Sequence, residues 1–496
     1  MTSMAAKDDD LKRELVAAMQ LHVQGNLDGA EAAYKALHAT WPRQPDILYS
    51  LGVIGMQRQD WRKASEYFLR TLVADPNHHG TLRQLGSLFS YLSLDEILAW
   101  FEELRKQQGC NEVMYNGYVR MLKNEGRFER ALDVCNDALT RFPRSLQLLK
   151  LRCSLHMTLG HHKDGIADMS RNIELAPDDY HAYINRGTAR LLISNCTEGF
   201  EDYAVAAQHE MEKHAMQFAM REWHGEPLAG KHILIWCSQG IGDIIMLAGL
   251  LPWVVAQHGK ITLAVYPKLM ALCARSFPDI RIVPHATNIG TTYTNCDYHC
   301  AIERLMGFAL PHYTPADHPP ILRADLQRTE MLHGGYEAIA NGKRLIGISW
   351  HTENKDTFSQ RNIPLNLWAP LFALPHLQFI SLQYGAHHEA LGIIEQHFPG
   401  KVYVDPRVDA YADTDGLASQ ISAVDQVVSI QNATVHLAGA LGKPTTLMLS
   451  AASDWRWGLD RTDSRWYRSV RIERQTKLLD WAPVIERVRV ALEAGM

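Results

Sequence analysis

The chain has 496 residues, 46% of them hydrophobic and 21% charged, with a formal net charge of -5. That length predicts two to four domains, and with the mild acidity nothing points to a nucleic-acid backbone or an anionic membrane. The first ten residues, MTSMAAKDDD, carry no apolar core and do not read as a secretory signal.

From Leu11 to His209 the chain repeats itself. Pro42 and Pro76, and later Pro143 and Pro177, lie 34 residues apart, as do Ala30 and Ala64, Tyr34 and Phe68, Gly52 and Gly86, and Gly126 and Gly160. Small residues at fixed places let two helices approach, an aromatic fills the gap, and proline ends the second helix. This is the tetratricopeptide pattern. About six units are read. The third, around His79 to Cys110, is degenerate and one residue short. The sixth keeps Gly187 and Tyr203 but has Gly199 where alanine is usual. Stacked repeats make a superhelix with a concave face, which predicts a groove for a protein or peptide partner, the alternative being a scaffold that orders the second half or makes a dimer. Protein glycosyltransferases of the O-GlcNAc type read acceptor backbone with an asparagine ladder at the sixth repeat position. Here that position holds Val16, Ser50, Gln84, Gly117, Leu151 and Asn185, so the ladder is absent.

After residue 209 the pattern fades into a linker, 210–230, with a turn-rich Trp223-His224-Gly225-Glu226-Pro227. Short apolar strands then alternate with helices, which predicts parallel sheets covered on both faces. In the first unit, 231–325, the strands are His232–Cys237, Ile261–Val265, Ile280–Val283 and Tyr298–Ala301. A helical segment, Asp325–Asn341, bridges to a second unit, 342–478. Its strands are Leu345–Trp350, Leu377–Leu382, Lys401–Val404, Val427–Ile430 and Thr445–Leu449, and a helix at Asp415–Ala423 precedes the fourth. A last helix, 479–494, is expected to pack back across both halves. Two doubly wound units in tandem leave a cleft between facing strand ends.

Three stretches carry candidate chemistry. Ser238-Gln239-Gly240-Ile241-Gly242-Asp243 joins the strand at His232 to a helix. Gly240 and Gly242 permit a tight turn and a close ligand approach. Asp243 reads either as a helix N-cap or as a catalytic carboxylate. The second stretch, His351 to Asn362, is a polar loop holding Lys355 and Arg361, which reads as a neutraliser of ligand charge or as a solvated basic loop. The third is Gln431-Asn432-Ala433-Thr434 before the helix Val435–Gly442, whose amides and positive dipole end suit a diphosphate. Asn432-Ala433-Thr434 also has the form of a glycosylation acceptor, read as coincidence without an export signal. Cys296, His299 and Cys300 lie close in sequence, but no second pair completes a ligand set, so no metal is expected.

The second half resembles bacterial glycosyltransferase family 9, whose best-known members are the lipopolysaccharide heptosyltransferases, in the branch with N-terminal tetratricopeptide repeats. The residues that carry the resemblance are Gln239-Gly240-Ile241-Gly242-Asp243, Arg361-Asn362-Ile363-Pro364-Leu365, Ser381-Leu382-Gln383, His436 through Pro444, and Asp454-Trp455-Arg456-Trp457. The resemblance implies an α tetratricopeptide superhelix followed by an α/β GT-B fold, two Rossmann-like units facing a cleft. It implies an inverting, metal-independent transferase with a nucleotide sugar as co-substrate and no further cofactor. Asp243 would be the base toward the acceptor hydroxyl. Arg361, with Lys355, would meet the leaving diphosphate. Thr434 and His436 would bind donor phosphate and ribose, beside Gln431 and Asn432. The family usually has aspartate followed by threonine or serine where this chain has Gln431-Asn432, which replaces an anionic donor contact by neutral amides. The expected function is a cytoplasmic glycosyltransferase acting on a protein or glycan acceptor presented by the repeats, with no nucleic acid and no integral membrane segment. The alternative is a non-catalytic repeat scaffold with a degenerate sugar-nucleotide domain.

Overall fold

A computed structural model describes residues 2–193, 198–205, 218–237, 240–286, 288–352, 361–385, 387–452 and 454–495. The chain divides into two compact units, Met1–Leu155 and His156–Met496.

The first unit is a run of paired helices: Thr2–Val23 with Leu27–Thr40, Pro45–Gln57 with Trp61–Ala74, His79–Phe89 with Leu94–Lys106, and Glu112–Asn124 with Phe128–Arg141. The 34-residue period has a steric cause. A Cβ at Gly52 would lie 2.4 Å from the Phe68 ring, and one at Gly55 would lie 2.9 Å from the Ala64 backbone. A side chain at either place would push the two helices apart. Gly86 keeps the period but has nothing within 4 Å of its would-be Cβ, so in the degenerate third repeat the glycine has lost its neighbour. Helix starts are fixed by polar caps. Asp60 accepts from the Lys63 amide, Asn111 from the Met114 amide, and Ser93 and Glu96 form a reciprocal capping box.

The second unit begins within the repeats, not at residue 209. It contains the helices His162–Leu175 and Tyr180–Leu192 and a helical stretch at 198–205. Leu191, Leu192 and Tyr203 belong to the same buried cluster as the α/β strands, which is why the division falls earlier than the end of the repeat pattern.

Two all-parallel sheets follow, each buried on both faces. The first contains β1 (Arg221–Glu222), β2 (His232–Trp236), β3 (Lys260–Val265), β4 (Arg281–Pro284) and β5 (Tyr298–Ala301), in the order β1-β5-β2-β3-β4. The second contains β6 (Arg344–Ser349), β7 (Leu377–Ser381), β8 (Val402–Tyr403), β9 (Gln426–Ile430), β10 (Thr445–Leu449) and β11 (Val470–Arg474), in the order β11-β10-β9-β6-β7-β8. This is the expected tetratricopeptide-like helical region followed by parallel-sheet α/β architecture.

Three details differ from the sequence reading. From Phe218 the linker stretch is already part of the α/β fold, with Arg221 paired to Tyr298 across β1 and β5 and Trp223 fully buried. β11 has no counterpart among the expected strands; Arg471, Glu473 and Arg474 make up most of its five residues and hide a strand in polar sequence. The last helix, Ala482–Glu493, packs on the second sheet rather than across both halves among the described residues. Trp481, Val484, Ile485, Val488 and Leu492 join Ile346, Trp368, Phe372 and Phe379 in one cluster.

In each sheet the winding direction reverses once, between β5 and β2 and between β9 and β6. Ligands bind such sheets outside the carboxyl ends of the strands at these reversals. Those two places hold the Gly240–Asp243 segment and the Gln431-Asn432 segment.

Candidate functional site

β2 leads toward the helix Ile241–Ala248, whose N-cap is Gly240. Asp243 is therefore inside the first turn and does not cap it. Its carboxylate turns to the other half of the unit, where Oδ1 accepts from Arg456 Nε at 2.8 Å and lies 2.6 Å from Nη2 as an ion pair. Asp243 thus belongs to an ion pair, which decides against the cap reading.

The two glycines of this segment do different things. Gly240 has φ -65 and ψ 162, a conformation open to any residue, and only Asp243 Oδ2, at 3.9 Å, would neighbour its Cβ. A Cβ on Gly242 would lie 3.1 Å from His436 Cδ2 and 3.5 Å from Ala433 Cα. Gly242 is the point where the helix after β2 touches the helix Ala433–Ala440 after β9.

Arg456 stands at the centre of an alternating chain of charge. Its Nη1 donates to Asp454 Oδ1 and Oδ2 at 2.9 and 3.1 Å, and Arg361 Nη2 donates to Asp454 Oδ2 at 3.1 Å. Burial by itself raises the Asp454 pKa, but Arg456 and Arg361 outweigh it and hold the carboxyl well below the usual carboxylate range. Burial likewise opposes the charge on Arg456, and Asp243 and Asp454 overcome it. Two carboxylates and two guanidiniums leave the cluster neutral. The indole of Trp455 lies under the Arg456 guanidinium at 4.8 Å.

His436 is buried beside this chain. Its Nδ1 meets Tyr467 Oη at 3.0 Å and its ring stacks on Trp457 with centroids 5.1 Å apart. Burial pushes its pKa down to about 4, so the imidazole is neutral at pH 7.

The helix after β9 begins at Ala433 with Asn432 as its cap. Asn432 Oδ1 accepts from the Thr434 amide at 3.0 Å, while Nδ2 donates to Ser349 Oγ at 2.7 Å and to the His351 carbonyl at 3.2 Å. The side chain is used in tying the β9 end to the β6 end. Gln383 braces the same place: its Oε1 accepts from Ser349 Oγ and from the Trp350 and His351 amides at 2.9 to 3.1 Å. By contrast, Gln431 Oε1 and Thr434 Oγ1 are buried without a hydrogen-bond partner among the described residues. Two such atoms beside the start of a helix leave acceptor and donor capacity unspent.

The structure therefore gathers Asp243, Gly242, Arg361 and His436 around the Asp454–Arg456 pair, and sets Gln431, Asn432 and Thr434 at the adjoining helix start. Lys355 lies outside the described residues. Cys296, His299 and Cys300 are not brought together: Cys296 and Cys300 belong to separate buried clusters. The His299 ring stacks on Phe218 at 3.7 Å. Sequence reasoning gave no role to Asp454, Arg456, Gln383 or Tyr467. The available signals were the Ser381–Gln383 and Asp454–Trp457 motifs that carry the resemblance, the second alternating charge with tryptophan.

A family model for the tetratricopeptide repeat matches residues 17–79. Protein FlbA of Caulobacter vibrioides is 26% identical over 489 residues, spanning 87% of this chain and 81% of that protein. Among solved structures, the E. coli ADP-heptose lipopolysaccharide heptosyltransferase II is 14% identical, with 53% of this chain and 98% of that one covered at a TM-score of 0.39. MamA 41-end from Desulfovibrio magneticus RS-1 is 15% identical, covering 41% of this chain and 97% of that one at a TM-score of 0.23.

Proposed function

We propose that the chain is a glycosyltransferase that moves a sugar from a nucleotide-sugar donor to a protein or glycan acceptor presented by the repeats. The observation that carries this reading is the pairing of two reversal points. Asp243, at the carboxyl end of β2, lies in one connected set of side chains with Arg361, Asp454 and Arg456. Next to it the start of the helix after β9 holds Gln431 Oε1 and Thr434 Oγ1, which have no hydrogen-bond partner among the described residues.

In this reading the donor diphosphate lies at the amides of the Ala433–Ala440 helix. Its negative charge draws Arg456 away from Asp243 and holds Arg361. The freed Asp243 carboxylate takes the proton of the acceptor hydroxyl as that oxygen bonds to the anomeric carbon. The bond from the anomeric carbon to the diphosphate oxygen breaks, and its electron pair leaves with the diphosphate, which the two guanidiniums stabilise. The family 9 resemblance supports inversion without a catalytic metal.

One observation favours a second reading. The four charges of the Asp243, Arg361, Asp454 and Arg456 cluster already satisfy one another, so among these described residues no net positive charge is left for a diphosphate. A binding module that no longer transfers fits that balance. The experiment that separates the two is a thermal-shift panel of ADP-, UDP-, GDP- and dTDP-linked sugars on the full chain, followed by a transfer assay with the stabilising donor. The enzyme reading expects one donor to raise the melting temperature, and Asp243→Asn to abolish transfer while retaining donor affinity. Unchanged turnover in that variant removes Asp243 as the base, and silence across the panel leaves the non-catalytic scaffold.

A further inference from the structure

The second unit opens on the sequence His156-Met157-Thr158-Leu159-Gly160-His161-His162-Lys163-Asp164, with Asp168 one turn later. The local fold concentrates its ligating groups. The helix Leu146–Thr158 ends here, Gly160 at φ 81 reverses the chain, and His161 is the N-cap of the helix His162–Leu175. The His161 amide donates to the His156 carbonyl at 2.8 Å, and the Asp164 amide donates to the His161 carbonyl at 3.1 Å. These backbone bonds bring the two imidazoles to a centroid separation of 5.6 Å. His161 makes no side-chain capping bond, so its ring is not spent on closing the helix.

One ligand atom each from His156, His161 and Asp164 lies within 4.8 Å of the other two. We propose that these three residues form a structural site for a borderline divalent transition metal such as Zn²⁺, Ni²⁺ or Co²⁺. Two imidazoles and one carboxylate are the donor set that such ions prefer, whereas Ca²⁺ and Mg²⁺ want oxygen alone. Tetrahedral zinc at its usual bond lengths needs ligand atoms about 3.3 Å apart. The arrangement is looser by up to about 1.5 Å, and the two exposed side chains, His161 and Asp164, can close that gap by rotation. His156 is buried and supplies the fixed member. The carboxylate of Asp168, also buried, stands 3.9 Å from His156 Nε2, where it steadies that ring in the manner of a carboxylate behind a metal-bound histidine. Water completes the coordination. The ion joins the end of one helix to the start of the next and clamps the hairpin. None of these residues belongs to the Asp243–Arg456 cluster, so the site stands apart from the proposed transferase chemistry.

The test uses the untagged full chain, stripped with a chelator and dialysed. Co²⁺ is titrated while visible d–d absorption is followed, and Zn²⁺ and Mg²⁺ are compared by thermal shift. One saturating equivalent of Co²⁺ is expected, with Zn²⁺ at tenfold above its dissociation constant raising the melting temperature by about 2 °C and Mg²⁺ giving no shift. His161→Ala and Asp164→Asn replace exposed residues, so they keep the fold, and each is expected to weaken Co²⁺ binding at least tenfold. His156→Ala alters a buried position and is read only beside those two. Three results overturn the proposal: no saturable uptake of Co²⁺ or Zn²⁺, the same affinity in His161→Ala and Asp164→Asn as in the parent, or an equal shift with Mg²⁺.

Discussion

Asp243 and Arg456, 213 positions apart in sequence, are joined by a charge-assisted hydrogen bond of 2.8 Å and an ion-pair contact of 2.6 Å. Asp243 sits in the helix after β2 of the first sheet and Arg456 in the 3-10 turn Trp455–Trp457 between β10 and β11 of the second, so this pair is a direct polar tie between the two halves of the α/β region. Both side chains keep partial contact with solvent, which limits what the pair adds to stability.

Removing either partner leaves the other in a partly buried place. Asp243→Asn and Arg456→Gln are each expected to destabilise by roughly 1–3 kcal/mol. The double variant should lose less than the sum, with a coupling of about 1 kcal/mol or more. Urea unfolding of the four proteins reads this directly, and strict additivity would show that the two groups act independently.

The two loop glycines should separate cleanly. Gly242→Ala drives a methyl toward His436 Cδ2, and that ring cannot retreat because Trp457 and Tyr467 hold it from other sides. A cost of about 1–3 kcal/mol is expected for such overpacking. Gly240→Ala meets open space and ordinary backbone, and should leave the melting temperature within a degree or so of the parent.

Acid should unfold the α/β region through buried imidazoles before it protonates the carboxylates. Burial pushes His436 and, with help from Arg304, His299 down to about 4. Each has an unfolded value near 6.5, so the unfolded chain binds more protons between those limits. Stability is therefore full above about pH 6.5 and falls as the pH drops toward 4, by on the order of 3 kcal/mol for each ring. The depressed Asp454 carboxyl acts in the same direction but at lower pH, below its own unfolded value of 3.8. Urea midpoints between pH 7.5 and 4.5 check the slope, and replacing His299 by glutamine should flatten it. A midpoint that does not move over that range would contradict neutral burial of both rings.

Gln431 and Asn432 are neighbours with opposite expected behaviour. Asn432→Ala removes a helix cap and the link to Ser349 and His351, and should cost about 1–2 kcal/mol. Gln431→Ala removes a buried carbonyl that has no partner among the described residues, and should be neutral or slightly stabilising. On the proposed function the order reverses for ligand: Gln431→Ala should weaken donor binding as measured by calorimetry. Loss of stability in Gln431→Ala would mean that its amide has an internal role.

The repeats and most strands were legible because their signals are local and periodic. Small residues and aromatics recur every 34 residues, as where Gly52 faces Phe68 and Gly55 faces Ala64, and Ile233 to Trp236 form an unbroken apolar run. β1 escaped notice because two residues, Arg221 and Glu222, have no period at all, and their strand exists only through pairing with β5. The site divides the same way. Asp243 and Gly242 stand in a recognisable turn, but the partner that engages Asp243 is set by the packing of two distant helices. No spacing rule reaches from residue 243 to residue 456. Asn432 was legible as a cap and illegible as a tie to β6, since Ser349 and His351 arrive from another strand.

The placement of Tyr203 bears on how the chain can be cut. Its ring meets Trp455 at 5.9 Å, its neighbours Leu191 and Leu192 enter the sheet core, and Trp455 in turn supports Arg456. The last stretch of repeat-like sequence is thus a wall of the α/β body. A fragment starting at residue 210 would expose that wall and strip the aromatic backing from the charged cluster, whereas one starting near residue 156 would keep it.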